Sequence, residues 1–380
     1  MRFRIARDDF SQILSRLQGF LSKQALREEI MNGLLLEATE DQHLRLSATD
    51  LELFFRGEIP AEVEAAGSLI VDGRQLRGIT RELPEQLVVF ETLSGGEEEG
   101  EQLQISSGRS RMQLKTRPGE LYPMLPVQLD ESKMSEAAAE QLTLVLERTL
   151  FSASSEESRP NLNGLFLTRG EDPGAIRAVS TDGHRLSVVE RAVLSGAGAA
   201  ESLAETGMIV PKKAALELKK LLDGESPLSI AQDGNYLALS ASDFQVAVRL
   251  VDAKFPDYKR VIPKENPLSY RLSRESLAAA LKRICLVHHE VVLSFEAGQR
   301  LTLSSEAEQN SAEEEINLSE GSNAETMKIK FNAKFIQDIL SIMGGDEVEF
   351  LLKNEELPGI IRELTPDAAR DTFVIMPMIL

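Results

Sequence analysis

The chain has 380 residues, 42% of them hydrophobic and 27% charged, which is typical of a folded protein of two or three domains. Its one cysteine, Cys285, excludes an intrachain disulfide and a cysteine-based zinc site, and its apolar stretches are too short to cross a membrane. The net charge of −19 argues against nucleic-acid binding unless the basic residues are concentrated on one surface. We therefore expect a reduced, cytoplasmic protein that binds no metal, cofactor or membrane.

The N-terminal segment alternates charged and apolar residues and predicts a strand at Met1–Ile5. An amphipathic helix follows, with Phe10, Ile13, Leu14 and Leu17 facing inward and Arg16 and Lys23 on the opposite side. The next predicted helix, Arg74–Leu83, carries two opposed stripes. Its apolar stripe is Leu76, Ile79 and Leu83, and its basic stripe is Arg74, Arg77 and Arg81.

Two later helices repeat this bias toward a basic face. On Lys212–Leu222, Lys213 and Lys220 share a face with Lys212 and Lys219 alongside, and a further helix carries Lys282 and Arg283. For any single helix, a solvated face is the simpler interpretation. Recurrence in equivalent helices of an acidic chain favours a surface that faces a polyanion, such as the DNA backbone.

Three sequence features recur in the same order, roughly 130 residues apart, which indicates an internal repeat. Asn32–Leu36 recurs as Asn163–Leu167, the segment around Thr49-Asp50 as Thr181-Asp182, and Leu121–Pro123 as Lys254–Pro256. A fainter third copy begins at Leu272, where the pattern resembles that starting at Ile5.

Turn-forming residues set the boundaries of the three copies. Pro123 and Pro126 close the first, the polar segment 128–133 follows, and Pro263 and Pro267 bracket the next link. We predict domains at 1–126, 127–263 and 264–380. The pattern in each domain predicts a strand, a helix and several strands, followed by a second strand, helix and several strands. The predicted fold class is therefore α+β with a mainly antiparallel sheet.

Catalytic motifs are weak in this sequence. His184 follows Asp182-Gly183 but has no serine or cysteine in a nucleophile motif nearby, and the adjacent histidines 288 and 289 do not have the spacing of a zinc site. An enzyme that uses His184 with a carboxylate stays open as an alternative, as does an acidic repeat scaffold that binds proteins but not DNA.

Four motifs together resemble the bacterial sliding clamp family, the beta subunit of DNA polymerase III. They are Asn161–Gly164, Ser180–Leu186, Phe255–Pro263 and Val374–Leu380. The resemblance covers the whole chain and implies a non-enzymatic processivity factor of three clamp-type domains. It also implies a head-to-tail homodimeric ring that encircles duplex DNA without sequence preference. Three departures from the family pattern are Ile379 in place of arginine, the segment Leu26–Met31, and a shortened region at His288–Val292.

The resemblance further implies an apolar pocket for short Gln-Leu-x-Leu-Phe-like peptides. Such peptides would be carried by the replicative polymerase catalytic subunit, the clamp loader, other polymerases and repair proteins. The matching pocket residues are Leu162, Thr181, Gly183, His184, Arg185, Leu186, Pro256, Arg260, Val261, Val374, Met376, Pro377, Met378 and Leu380.

By position, we expect a dimer interface in which a basic segment of domain one meets an apolar and acidic part of domain three. Its residues are Arg109, Arg111 and Met112 on one side and Leu286, Val287, Glu313, Glu314 and Glu315 on the other.

Overall fold

The computed structural model describes most of the chain in several stretches. The described residues are 1–21, 33–94, 101–127, 134–195, 203, 205–222, 227–296, 299–307, 309–322, 325–365 and 371–380. Lys23, the departure Leu26–Met31 and the linking segment 128–133 lie outside them. Within these described residues, no helix is both long and apolar enough to cross a membrane.

The helices are short and amphipathic, and three of them begin at a side-chain cap. Asp72, Ser273 and Asn332 accept hydrogen bonds from backbone N–H groups in the first turn of their helices, which satisfies donors that have no partner inside the helix. In chain order the helices are α1 (Arg7–Arg16), α2 (Gly73–Glu82), α3 (Ala139–Leu150), α4 (Lys212–Leu221), α5 (Arg274–Ile284) and α6 (Ala333–Ser341).

The strands fall into three successive groups. The first is β1 (Arg2–Ala6), β2 (Gly33–Ala38), β3 (His43–Thr49), β4 (Leu53–Pro60), β5 (Glu62–Ala65), β6 (Gly67–Asp72), β7 (Leu87–Leu93), β8 (Gln102–Ser107) and β9 (Ser110–Pro118). The second is β10 (Ser135–Ala137), β11 (Gly164–Arg169), β12 (Ala175–Thr181), β13 (Arg185–Ala192), β14 (Leu194–Ser195), β15 (Met208–Pro211), β16 (Leu228–Asp233), β17 (Tyr236–Ser240) and β18 (Phe244–Arg249). The third is β19 (Leu268–Ser273), β20 (Glu290–Glu296), β21 (Arg300–Ala307), β22 (Asn310–Asn317), β23 (Met327–Asn332), β24 (Glu347–Leu352), β25 (Gly359–Glu363) and β26 (Thr372–Ile375).

The order of elements confirms the predicted α+β repeat. Each third of the chain runs strand, helix, several strands, strand, helix and three strands, and every strand pairing in the described ladders is antiparallel. In each third, the opening strand pairs with the strands of the second half, as β1 does with β7. The two halves of each repeat are therefore interleaved.

By spatial contacts, the chain divides into two compact units. One comprises Met1–Glu140, Leu194–Ala204 and Leu216–Leu250, and the other Gln141–Val193, Glu205–Ala215 and Val251–Leu380. The first unit holds a 14-stranded sheet, and the second holds an 8-stranded and a 4-stranded sheet. The boundaries 1–126, 127–263 and 264–380 stay a prediction about the repeat.

Two of the sheets continue from one repeat into the next. In the first unit β4 pairs with β18, from Leu53 opposite Val248 to Gly57 opposite Phe244. In the second unit β13 pairs with β26, from Arg185 opposite Ile375 to Val188 opposite Thr372. Because β4 and β13 hold the same place in their repeats, as do β18 and β26, the two junctions are equivalent.

The helices bury their apolar faces as the sequence predicts. Phe10, Ile13 and Leu14 of α1 are buried, and so is Leu76 of α2. Phe3 on β1 stacks on Phe90 of β7 with ring centroids 4.7 Å apart. These contacts place the hydrophobic core between the helices and the sheet.

A buried ionic cluster lies in the second unit, between α3 and the strands that lead to the C-terminus. Arg148 contacts Glu363 on β25 and places Nε 2.6 Å from Oδ2 of Asp371, while Arg191 donates two hydrogen bonds to Asp371 at 2.5 and 2.8 Å. Burial raises the pKa of Glu363, but Arg148, together with the backbone N–H groups of Gly344 and Gly345, holds that pKa below its usual value. Burial raises the pKa of Asp371. Every charge in the cluster has a partner, as buried charges require.

Candidate functional site

The C-terminal segment after β26 is held to two other strands. Within the β13–β26 ladder, Val374 lies opposite Leu186. Beyond the ladder, Met376 N donates to the His184 carbonyl at 2.9 Å and Met378 N donates to the Lys330 carbonyl at 2.8 Å. The backbone of the last residues is therefore fixed, and the side chains of Met376, Ile379 and Leu380 are exposed.

Beneath this segment lies an apolar cluster that combines predicted pocket residues with aromatic ones. Leu186 and Val374 are 3% and 2% exposed, and they pack with Phe255, Tyr258 and Ile360. Phe255 also stacks on Phe166 at 5.0 Å between ring centroids. A cluster this well packed gives the surface above it a rigid apolar floor.

Arg185 stabilises the turn between β12 and β13. Its guanidinium bonds to Asp182 at 3.0 Å, to Asp338 of α6 at 2.6 Å and to the Phe151 carbonyl at 2.7 Å. It also lies over the Phe335 ring, 4.5 Å from the centroid. Each of the three guanidinium nitrogens thus donates a hydrogen bond inside the protein. We therefore expect Arg185 to position the pocket rather than to contact a peptide, which differs from the role that the resemblance implies for it.

His184 stands in that turn without the neighbours of a catalytic base. Its ring is exposed and stacks on Phe335 at 6.3 Å. The nearby Asp182 carboxylate already accepts bonds from the backbone N–H groups of His184 and Arg185 and from the Arg185 side chain. Within the described part of the chain, no hydroxyl or thiol is hydrogen-bonded to the imidazole, so a nucleophile and base pair is not formed here.

Beside the apolar floor lies an open cleft of about 990 Å³. It runs between the segment that follows the short 3-10 helix Tyr258–Arg260 and the loop 353–358. Ile262 in its wall packs against the apolar cluster, so cleft and floor are continuous. The lining residues are Asp257, Lys259, Arg260, Val261, Ile262, Pro263, Lys264, Glu265, Asn266, Lys353, Leu357, Pro358 and Met376. Of the predicted pocket residues, Arg260, Val261 and Met376 line this cleft.

The remaining predicted pocket residues take several positions around the cleft. Leu186 and Val374 belong to the buried apolar cluster beside the cleft and do not line the cleft itself. Pro256 is exposed next to buried Phe255. The Thr181 hydroxyl accepts a hydrogen bond from Gly183 N and donates one to the Arg185 carbonyl. These two bonds hold the turn. Leu162 is half-buried, and its carbonyl accepts from Ser154 N. Pro377 lies between the two anchored methionines.

Sequence reasoning missed one wall of the cleft. Asn266 donates to the carbonyls of Leu351 and Pro358 at 2.8 and 3.2 Å, which joins the segment 262–266 to the loop 353–358. Its Oδ1 is buried and has no hydrogen-bond partner among the described atoms. The only available signal was contiguity with Arg260 and Val261, and nothing in the sequence pointed to Lys353 or Leu357.

Comparisons with known proteins match the whole chain. Models of the N-terminal, central and C-terminal domains of the DNA polymerase III beta subunit match residues 1–126, 136–257 and 259–379. The beta sliding clamp of Vibrio cholerae is 32% identical over 386 residues, and that of Escherichia coli strain K12 is 31% identical over 385, with all of each chain covered. The chain belongs to the DNA polymerase III beta subunit family.

Solved structures of family members have the same fold. A Caulobacter crescentus beta sliding clamp with PEG bound has a TM-score of 0.90 at 28% identity, covering 100% of this chain and 99% of that one. A Bartonella birtlesii sliding clamp bound to griselimycin has a TM-score of 0.89 at 29% identity, with 100% of both chains covered. Three tandem clamp domains of the family's α+β type account for this chain.

The basic residues that we expected to face DNA differ in their surroundings. Arg74 and Arg81 on α2 are exposed and Arg77 is half-buried, with Arg81 paired to Glu82 at 3.0 Å. Lys213 and Lys220 on α4 are exposed and Lys219 is half-buried, and Lys220 bonds to Glu217 at 2.8 Å. Lys282 on α5 is exposed.

Three others of those basic residues are also held by neighbours in the protein, which helical periodicity could not reveal. Lys212 donates to the Ala153 carbonyl at 2.6 Å and to Ser155 Oγ at 2.9 Å, and burial lowers the pKa of Lys212. Arg16 pairs with Asp243 at 2.6 Å. Arg283 donates two hydrogen bonds to Glu314 at 2.5 and 2.8 Å, which raises the pKa of Arg283 and lowers that of Glu314.

The residues expected at a dimer interface lie on two strand edges and one helix end. Arg109, Arg111 and Met112 are at or beside the start of β9, and the three glutamates lie on β22 rather than in a loop. Glu315 is 3.5 Å from Arg300 and Glu314 pairs with Arg283, so of the three only Glu313 has no ion pair with a described residue. Leu286 after α5 is 85% exposed and Val287 half-exposed.

One cluster in the described residues has ligand atoms close enough for a metal ion, namely Asp41, His43 and Glu58. Arg45 lies among them, with Nε 2.6 Å from Glu58 and a second nitrogen 3.4 Å from Asp41. Because the guanidinium already neutralises both carboxylates, we interpret the cluster as an ion-pair group on the surface of β3 and β4.

Proposed function

We propose that two copies of this chain close into a ring around duplex DNA, and that the cleft beside Met376 tethers polymerases and other proteins to it. Family membership makes the chain a processivity clamp of DNA replication, and the family's subunit is non-catalytic. The ring, the homodimer, the cytoplasmic location and the residue roles are our proposal. The observation that carries it is the pair of equivalent sheet junctions and the unpaired edges that they leave.

The strand pairing itself supports a head-to-tail dimer. Two junctions, β4 with β18 and β13 with β26, join successive repeats. The third repeat offers β22 in the place of β4 and β13, and among the described strands β22 pairs only with β21. The first repeat offers β9 in the place of β18 and β26, and its residues Ser110–Lys115 pair only with β8. A third equivalent junction therefore needs a second copy, and two such junctions close a ring.

The charges on these two edges are complementary. Arg109 and Arg111 are exposed on the β9 side, and Glu313 is exposed on β22. Leu286 follows α5 by two residues, and α5 packs on β22. The exposed side chain of Leu286 therefore adds apolar surface to this side. Charge pairs at such a rim fix the register of the partners more than they add affinity.

Reversing one charge on the β9 edge tests this interface. For Arg111→Glu we expect a dimer, of about 84 kDa for two chains of 41.9 kDa, that dissociates at roughly fivefold or more higher protein concentration. Salt should lessen the effect, because it screens the new repulsion. Sedimentation over a dilution series measures it. The control is Arg81→Glu, an equal charge change on α2, and equal dissociation of both variants would remove β9 from the interface.

The exposed basic faces suit loose contact with DNA phosphates. Arg74, Arg77 and Arg81 lie along one side of α2, and Lys213, Lys219 and Lys220 lie on α4. Sequence-independent binding of this kind depends on phosphates and counterion release, not on base edges. Tight contacts would hinder sliding, so topology and not affinity should hold the protein on DNA.

Removing the α2 arginines tests their part in this contact. For the triple variant Arg74→Ala, Arg77→Ala, Arg81→Ala we expect weaker DNA binding at low salt. We also expect a shallower slope of log affinity against log salt, because up to three fewer counterions are released for each copy of α2. Thermal unfolding should change little, because Arg74 and Arg81 are exposed and Arg77 is only half-buried. The matched control replaces Arg159, Arg249 and Arg300, which are exposed on other elements. An equal loss of DNA affinity in both variants would show a non-specific effect of the charge change.

The cleft and its apolar floor suit a short peptide that carries leucine and phenylalanine. Val261, Leu357 and Met376 are 48%, 42% and 37% exposed around the cleft, and the floor beneath is rigid. Methionine adapts its shape to different partners, which suits a site shared by a polymerase, a clamp loader and repair proteins. A peptide that buries a few side chains should bind at micromolar concentration, about −8 kcal/mol. The griselimycin complex of the Bartonella birtlesii relative shows that a family member binds that ligand.

A further inference from the structure

The cleft has a local charge opposite to that of the chain. Its walls carry Lys259, Arg260, Lys264 and Lys353, which we name the basic rim, against two acidic residues, Asp257 and Glu265. The chain as a whole has a net charge of −19. A positive rim on so acidic a protein is not expected from composition, and it lies beside the surface that we propose for partner peptides.

The lysines of the basic rim are available to a ligand. All three are exposed, and none of them has an ion-pair partner among the described residues. Arg260 is 3.5 Å from Asp257, but both side chains are largely exposed, so that pair is screened by water and is easily exchanged. The basic rim therefore presents cations whose charges the protein does not itself neutralise.

The acidic residues of the neighbouring loop lie outside the lining of the cleft. Glu355 and Glu356 are exposed in the loop 353–358 but do not line the cleft. Asn354 fixes the loop by accepting hydrogen bonds from the N–H groups of Glu356 and Leu357 at 3.1 and 2.9 Å. Lys353 and Leu357 thus both line the cleft, and the backbone between them is held by Asn354.

Apolar and basic elements of the cleft are close enough to serve one ligand. Val261 is adjacent in sequence to Arg260 and Ile262 lies two residues before Lys264, while Leu357 shares its loop with Lys353. A peptide whose leucine and phenylalanine contact the apolar lining of the cleft would therefore extend its flanking residues over the basic rim.

We propose that the basic rim binds acidic residues flanking the apolar core of partner peptides and so selects among partners. This inference rests on the proposed peptide-binding function of the cleft. Exposed ion pairs contribute about 0.2–1 kcal/mol each, or roughly 1.5- to 5-fold in affinity. Three of them acting together should make an acid-flanked peptide about five- to tenfold tighter at low salt. The gain should fall as salt rises, because the pairs are exposed.

The test compares peptides that share one Gln-Leu-Ser-Leu-Phe core. Three glutamates are placed directly before or directly after the core, and the reference peptides carry glutamines at the same positions. Affinity is measured by fluorescence anisotropy at low and high salt. The cleft variant is Lys259→Gln, Lys264→Gln, Lys353→Gln. The matched control is Lys213→Gln, Lys219→Gln, Lys220→Gln, which makes the same change in net charge with residues that do not line the cleft.

We expect at least one glutamate arrangement to bind the wild-type protein about five- to tenfold tighter than its glutamine reference. The cleft variant should lose that preference and still bind the glutamine peptides, whereas the control should keep it. Equal binding of glutamate and glutamine peptides to the wild type, or a preference that survives in the cleft variant, overturns the proposal while leaving the peptide site intact. Failure of every peptide to bind would overturn the peptide site itself. A labelled single-stranded oligonucleotide that binds the wild type but not the cleft variant would make the basic rim a nucleic-acid contact, which also contradicts the proposal.

Discussion

Replacing Arg148 with methionine is expected to lower the free energy of unfolding of the second unit by about 3–5 kcal/mol. The Arg148 side chain is 8% exposed, and its contacts Glu363 and Asp371 are 4% and 0% exposed. Removal of the cation leaves Glu363 buried with only backbone N–H groups of Gly344 and Gly345 as donors. Asp371 keeps Arg191. The cost arises because a buried carboxylate loses its counter-charge, and not because the ion pair is strongly favourable by itself.

The measurement is denaturant unfolding of the variant, followed by circular dichroism. Arg300→Met is the control, because Arg300 pairs with Glu296 at 2.7 Å but is 48% exposed, so we expect a loss of about 1 kcal/mol or less. The Arg148→Met, Glu363→Gln double variant should recover part of the loss, because it removes the uncompensated charge. Similar midpoints for Arg148→Met and Arg300→Met would show that the cluster does not stabilise the C-terminal strands.

Truncating the cleft-lining methionine, Met376→Ala, is expected to weaken peptide binding by about 1–3 kcal/mol, roughly 5- to 150-fold, without unfolding the protein. Met376 is 37% exposed, while its backbone N–H stays bonded to His184. The substitution therefore removes apolar contact area and preserves the local backbone. Deletion of Ile379 and Leu380 should have an effect in the same range, because both side chains are exposed next to the anchored tail.

Titration of a labelled peptide with the Gln-Leu-Ser-Leu-Phe core measures these effects. Met124→Ala is a matched control, because Met124 is 82% exposed and does not line the cleft. The wild type and Met124→Ala should bind alike. Unchanged affinity in both Met376→Ala and the tail deletion would remove the C-terminal segment from the peptide site. An esterase, phosphatase or peptidase activity dependent on His184 would instead support the enzyme alternative.

The fold could be predicted largely from periodicity, because helix faces and strand alternation are local signals. The apolar stripes with Phe10, Leu14 and Leu76 are buried as expected, and the order of strands and helices repeats as the sequence indicates. The sheet junctions could not be predicted in the same way. Pairing of β4 with β18 joins residues that are far apart in sequence, and no local pattern sets such a register.

The same distinction explains what was missed at the site. Motifs pointed to Val261, Val374 and Met376, because these positions lie in conspicuous segments of the sequence. Lys353 and Leu357 come to the cleft from a loop with no motif of its own. The basic faces were only partly predictable, because periodicity shows which side a residue occupies but not what meets it. Arg283 finds Glu314 through the packing of α5 on β22, which only the tertiary structure shows.

Retention on circular DNA tests the central claim most directly. The protein is loaded onto a nicked circular plasmid with the clamp loader, separated from free protein by gel filtration at moderate salt, and divided into two parts. One part is cut once with a restriction enzyme. A ring held by topology stays with the circular DNA and is lost from the linear DNA, because it slides off the ends. Retention that is equal on circular and linear DNA, or absent from both at all salt concentrations, would contradict the account and favour an acidic scaffold that does not encircle DNA.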